Sequence, residues 1–308
     1  MAGKWPSFEV ERDWPTIAFL HLASQMPGKM RVAYAPWVNH GWHVTLLLVG
    51  DGLTTAPIAC ADGRTFTLAI DLCAHGLALH VSDGTRDIAP FRDGMSIAEF
   101  HRDFIAMLDR NHLPSTFHGT PNELADAIPF AEDHQPRPYR RSSAETFHAM
   151  LSSVVPVFDL FRAGFSGKSS PVHFFWGSFD LAVTRFSGRA APPHPGGVPG
   201  LPDRITREAY SDEESSAGFW PGNAGIKAEP IFYSYAYPEP KGFRESEIEP
   251  PAAKFDPDLG EFTLAYELVR RAADPEAMLT SFLQSTYRAA ATLADWDRKH
   301  LERAPVAP

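Results

Sequence analysis

The side chains best able to do chemistry crowd into one stretch of this sequence. Asp180 stands alone in an aromatic-rich apolar run, 172–186, and a basic, Pro/Gly-rich loop follows with Arg189 and His194. A carboxylate in so apolar a run must be solvated, paired or hydrogen-bonded, because an isolated buried charge is too costly. Two readings are open. Asp180 is aimed at a ligand from a pocket floor, or it pairs with Arg185 or Arg189 as a structural brace. In the first reading Asp180 and His194 carry the proton chemistry, since histidine titrates near neutrality. Arg185 and Arg189 then clamp a carboxylate or phosphate with two hydrogen bonds each. Trp176 and Tyr210 supply aromatic walls. Glu208, Ser211, Glu213 and Glu214 converge on the same place if the loop folds back, or else brace it to the scaffold.

Other chemistries find weaker footing. The run GFSGKSS, 164–170, ends like a phosphate-binding loop, but Arg162 occupies the first glycine position of that pattern and a helix precedes it. No GxSxG elbow, HExxH or GxGxxG occurs. Asn39, His40 and His43 lie at a loop–strand junction, where their spacing is not diagnostic of a metal site. Asp71, Cys73 and His75 alternate, yet His75-Gly76 reads better as a turn. The expectation is no metal site, and no motif names a cofactor.

Stepping outward, the run 172–186 has the β-branched and aromatic content of one long strand. Alternation puts His173, Phe175, Phe179, Leu181 and Val183 on a core face, and Trp176, Ser178, Asp180, Ala182 and Thr184 on the other. Residues 187–230 read as a long irregular site loop, anchored by Tyr210, Phe219 and Trp220. Residues 231–237, IFYSYAY, form a strand with Tyr233, Tyr235 and Tyr237 on one face.

Earlier in the chain a short helix is expected over 14–26, ended by Pro27-Gly28, with His21 and Gln25 on one face, more simply a partly exposed surface than a site. Asp-Gly pairs at 51–52, 62–63, 83–84 and 93–94 mark the turns of an antiparallel meander over 43–89. Ser96 and Glu99 form a capping box for a helix to about Asn111. A short strand is expected near 114–118, and 119–142 reads as a linker. Ser142 and Glu145 make a second capping box, and Pro156 is expected to kink or divide the helix it opens. A last strand over 261–268 precedes a helix capped by Asp274 and running to about Arg303.

FTLAIDL at 66–72 matches FTLAYEL at 262–268, and each half sets Gly-Lys before a Trp-containing strand. This order suggests duplication of an α+β unit. The organisation expected is an N-terminal half, 1–118, a linker, 119–142, and a C-terminal half, 143–308, holding the site loop 187–230. The fold class is α+β, mainly antiparallel sheet with about four substantial helices.

The chain has 308 residues, with 28 Lys+Arg against 38 Asp+Glu, a formal net charge of −10. Phosphate-backbone binding needs clustered cations, so a nucleic-acid or anionic-membrane partner is disfavoured. No apolar run approaches a bilayer span and the first residues lack a signal-peptide core, so cytoplasmic residence is expected. Cys60 and Cys73 make neither a disulfide framework nor a zinc set.

Four long segments, GKMRVAYAPWVNHGWHV, SPVHFFWGSFDLAVTRFSGR, EAYSDEESSAGFWPG and FLQSTYRAAATLADWDR, closely resemble the signature of a family of uncharacterised bacterial proteins. The resemblance covers nearly the whole chain and implies no activity for any residue. The residues themselves suggest an enzyme acting on a small anionic metabolite. The other reading is a non-catalytic small-ligand-binding or protein-interaction module, with the tyrosine face as its recognition surface.

Overall fold

The structure, a computed structural model, describes residues 4–303 except 125, 199 and 224–226. The fold is α+β, as the patterning predicts. A twelve-stranded antiparallel sheet runs in the order β11-β12-β10-β9-β8-β7-β1-β2-β4-β5-β6, with β3 paired to β4. The N-terminal strands are β1 (Leu46–Val49), β2 (Gly52–Thr55), β3 (Ile58–Ala59), β4 (Thr65–Asp71), β5 (Gly76–Val81) and β6 (Arg86–Pro90). This is the meander that the Asp-Gly turns mark. The C-terminal strands are β7 (His173–Phe175), β8 (Asp180–Ala190), β9 (Asp212–Trp220), β10 (Ile231–Tyr237), β11 (Lys254–Asp256) and β12 (Glu261–Ala265). The helices are α1 (Val10–Tyr34), α2 (Ile97–Arg110), α3 (Arg141–Ala163), α4 (Asp203–Ala209), α5 (Tyr266–Arg270), α6 (Pro275–Leu293) and α7 (Arg298–Leu301).

Register explains where the core lies. Leu46, Phe174, Leu181, Phe219, Phe232 and Leu264 pair in one unbroken row across β1, β7, β8, β9, β10 and β12. All six are fully buried. Directly paired residues share a face, so this row is one continuous apolar surface for helices to cover. α3 packs on α1 and α6, and reaches β1 and β8, while α6 also covers β9 and β10. β1 and β7, each the first strand after a long helix, pair antiparallel at the centre of the sheet. The two FTLA segments do not occupy equivalent places. The first lies in β4, third from the centre of one wing; the second lies in β12, fifth in the other, and its chain turns into α5.

Several local expectations are corrected. α1 is 25 residues long and passes through both Pro15 and Pro27. Its fourteen buried residues hold it on all sides, so packing outweighs the backbone bonds the prolines remove. α3 is likewise continuous through Pro156, and it starts at Arg141, with Arg140 at the N-cap position and no side-chain cap, instead of at a Ser142–Glu145 box. The Ser96–Glu99 box is formed. Residues 114–118 form no strand, and among the described residues of 119–140 the helical structure is a 3-10 turn over Phe130–Glu132 that buries Phe130. The terminal helical region is broken: α6 ends at Leu293, and Asp295 takes a left-handed conformation before α7. The terminal residues 304–308 lie outside the described residues. Among the described residues no helix is long and apolar enough to cross a membrane.

Candidate functional site

The expected long strand over 172–186 is a hairpin. β7 and β8 are joined by a four-residue turn, Trp176–Phe179. The turn changes the face assignment. His173 pairs with Ala182 and Phe175 with Asp180, so both lie on the face of Asp180 and not on the core face. Asp180, Ala182 and Thr184 do share a face, as alternation requires.

The turn is pinned at every residue. Trp176 is buried and its Nε1 donates to the Val44 carbonyl at 2.8 Å, so it anchors the turn instead of walling a pocket. The Gly177 carbonyl lies 2.7 Å from His21 Nε2. A carbonyl only accepts, so that nitrogen carries the proton. Burial holds His21 down near pKa about 4, leaving the ring neutral. Ser178 is exposed, and its Oγ donates to Asp180 Oδ1. Phe179 has φ +62°, a left-handed conformation costly for so bulky a residue. Its ring stacks between His21 at 4.9 Å and Phe147 at 5.5 Å, which holds it there.

Asp180 is 6 % exposed. Its second oxygen, Oδ2, accepts from the Tyr233 hydroxyl. Two donors on two oxygens suit a carboxylate, although burial pushes its pKa up against them. Tyr233 belongs to β10, two strands away from Asp180, with β9 between them. The residue between is Gly218, paired with both Ala182 and Tyr233. A Cβ there would lie 2.3 Å from Tyr233 Cζ and Oη. The missing side chain is what lets the phenol reach across to Asp180.

Two further carboxyls feel the charge of Asp180. Glu123, at φ +59°, lies against the turn, its Oε1 only 2.0 Å from where a Cβ on Gly177 would stand. Burial first, and the charge of Asp180 second, raise its pKa to about 7. Glu261, opening β12, is raised to about 8 by burial and then by Asp180. Among the described residues neither carboxyl has a hydrogen-bond or ion-pair partner. The segment carrying Glu123 is tied to α1 through Asn122. Gln25 Oε1 accepts from the Asn122 amide at 2.7 Å, Gln25 Nε2 donates to the Asn122 carbonyl at 3.0 Å, and Lys29 Nζ donates to the Asn122 side chain. His21 and Gln25 therefore face the site, where a partly exposed surface was the simpler expectation. Lys29 is 4 % exposed, and burial lowers its pKa to about 8.

The tyrosine ladder continues the polar surface. Tyr235 stacks on Tyr233 with centroids 6.2 Å apart, and its hydroxyl lies 3.1 Å from Tyr210 Oη. It also donates to Glu214 Oε1 at 3.4 Å. Glu214 is raised to about 8, chiefly by burial. Beyond it Lys168 donates to Asp212 at 2.6 Å, beside His40, whose Nδ1 donates to the Ala209 carbonyl at 2.8 Å. The expected irregular loop 187–230 thus contains three regular elements, the end of β8, α4 and β9. Pro192 and His194, before α4, are held to the ladder. Tyr237 Oη donates to the Pro192 carbonyl at 2.9 Å, and His194 stacks on Tyr210 at 4.7 Å and on Tyr237 at 5.2 Å.

The other expected site residues are placed elsewhere. Asp180 and His194 sit at opposite ends of the ladder, whose Tyr233 and Tyr237 are four residues apart on one strand, about 13 Å. Arg185 is an odd number of residues from Asp180 on β8 and so points through the opposite face. It is fully buried there, 3.5 Å from the Phe161 ring centroid and 4.3 Å from that of Tyr287, and Nη2 donates to the Phe161 carbonyl. Arg189 pairs with Glu213 at 2.7 Å and donates to the Ala294 and Asp295 carbonyls at the end of α6. The anion clamp expected at Asp180 is therefore not assembled, and neither arginine braces Asp180. Asp71, Cys73 and His75 build a turn: Asp71 accepts from the Cys73 and Ala74 amides, and His75 meets the Tyr139 hydroxyl at 3.0 Å. Sequence reasoning missed Tyr233 as the partner of Asp180, and Glu123 and Glu261 as carboxyls that its charge reaches. The interior glycine of SSAGFW was the one signal available for Tyr233.

A model described as a family of unknown function (DUF5996) matches residues 5–303. No curated protein and no solved structure matches the chain.

Proposed function

We propose, from the premise that the chain belongs to the family of unknown function DUF5996, which lends it no activity, that it is an enzyme doing acid–base chemistry on a small neutral or cationic ligand. The observation that carries this reading is the trio of carboxyls. Asp180 is saturated by Ser178 and Tyr233, while Glu123 and Glu261 beside it are unpartnered among the described residues and raised to about 7 and about 8. Carboxyls raised to near neutrality can give and take a proton at the same pH. Tyr233, Tyr235 and Tyr210 offer aromatic faces and hydroxyls for orienting a polar ligand. An anionic metabolite suits this place poorly. Arg185 and Arg189 serve other faces of the molecule, and the surrounding charge is acidic.

A thermal-shift screen against neutral, cationic and anionic small molecules tests the reading, run on wild type, Glu123→Gln and Glu261→Gln. The expected result is stabilisation by a neutral or cationic class that either variant weakens. Stabilisation confined to anions, or equal in all three proteins, overturns it.

A further inference from the structure

We infer that Ser178 is a nucleophile, with Asp180 as its general base and Tyr233 as the group that orients the base. This rests on the acid–base reading of the same site and names its reaction class. The three residues reproduce the arrangement of an activated hydroxyl: nucleophile hydrogen-bonded to base, base held by a third group on its other side. Their exposures differ in the sense that chemistry needs. Ser178 is exposed at the tip of the β7–β8 turn, where a substrate can reach it, while Asp180 is withdrawn from water behind it. A structural serine in a turn commonly bonds a nearby backbone amide. This one spends its proton on a buried carboxylate.

The turn is built to keep that hydroxyl in place. Trp176 is tied to Val44, Gly177 to His21, and Phe179 is held at positive φ between two rings. Backbone strain at Phe179, and again at Glu123 against Gly177, brackets the one exposed hydroxyl of the turn. The acidic surroundings favour a neutral or cationic carboxylic ester as substrate. Ser178 Oγ attacks the acyl carbon and forms the new C–O bond as its proton passes to Asp180. The tetrahedral intermediate collapses, the bond to the leaving alcohol breaks, and Asp180 returns the proton to the leaving oxygen. Water then attacks the acyl-serine with Asp180 again accepting a proton, which restores the Ser178 hydroxyl and releases the acid. Glu123 lies beside the turn as a second proton carrier.

The test is labelling of the purified full-length chain by an alkyl fluorophosphonate between pH 6 and pH 9, with the adduct located by peptide mass mapping. One adduct on Ser178 is expected, at a rate that rises with pH through a single ionisation. Ser178→Ala should lose the adduct while remaining folded, with a melting temperature lowered modestly because the buried Asp180 loses one of its two donors. Asp180→Asn should label about 100-fold more slowly or worse, the range for loss of a general base. Tyr233→Phe keeps the ring and tests the orienting hydroxyl by a smaller loss. No adduct on wild type, an adduct on another residue, or one that persists in Ser178→Ala overturns the inference. If the ligand screen succeeds and depends on Glu123 and Glu261 while Ser178 takes no label, the acid–base reading stands and the nucleophile falls. A labelled Ser178 with no ligand class found gives the converse.

Discussion

Glu261 and Glu123 show how a residue's chemistry is set by its surroundings. Each is an ordinary glutamate in the sequence, and each is pushed from 4.5 to about 8 and about 7 by burial and by Asp180. The consequence for stability has a definite sign. Folded-state values above the unfolded ones mean that the native protein holds protons the unfolded chain has lost. Their contribution is complete below about pH 4.5 and is lost as pH rises through about 7 for Glu123 and about 8 for Glu261. Glu261→Gln, which stays neutral at every pH, should therefore melt higher than wild type at pH 9 and nearly level with it at pH 5. Paired melting curves at the two pH values check this, and a gain of the same size at both would show that Glu261 is not withdrawn from water.

At the scale of elements, the site depends on β9, a strand that carries none of the residues placed in the reaction. Its contribution is the bare backbone at Gly218, over which Tyr233 leans to reach Asp180 on β8. Gly218→Ala sets the usual gain of β-structure from a side chain against a Cβ 2.3 Å from the phenol. The clash decides the outcome, since overpacking costs about 1–3 kcal/mol and Gly-to-Ala gains only a fraction of that. The variant should be destabilised by about 1–3 kcal/mol in denaturant titration. Its fluorophosphonate labelling should also slow as Tyr233 leaves Asp180. Unchanged labelling in a destabilised variant would detach the tyrosine from the site.

At the scale of the whole molecule, the two wings of the sheet meet at β1 and β7, joined in register at Leu46 and Phe174. That seam is short, but the buried row from Leu46 to Leu264 and the α1–α3 packing cross it. One hydrophobic cluster runs through both wings. Scanning calorimetry should then give a single transition whose calorimetric and van't Hoff enthalpies agree, at roughly 0.7 kcal/mol per residue. Two resolved transitions would mean that the halves 1–118 and 143–308 fold separately.

Features that depend on local pattern could be read from the chain alone. The Asp-Gly meander, the Ser96–Glu99 cap, the Asp274 cap and the shared face of Tyr233, Tyr235 and Tyr237 were all legible, because turn chemistry and alternation act over a few residues. Asp180 stood out for the same reason: a lone carboxylate in an apolar run demands an explanation at its own position. Its surroundings, by contrast, come from long-range packing. The turn at Trp176–Phe179 sends His173 to the other face, and the register of β8 sends Arg185 away from Asp180. Glu123, Glu261 and Tyr233 arrive from segments at least 53 positions distant in the chain. Their raised proton affinities come from desolvation and from the charge of Asp180, and both exist only once the sheet and its covering segments have closed around them.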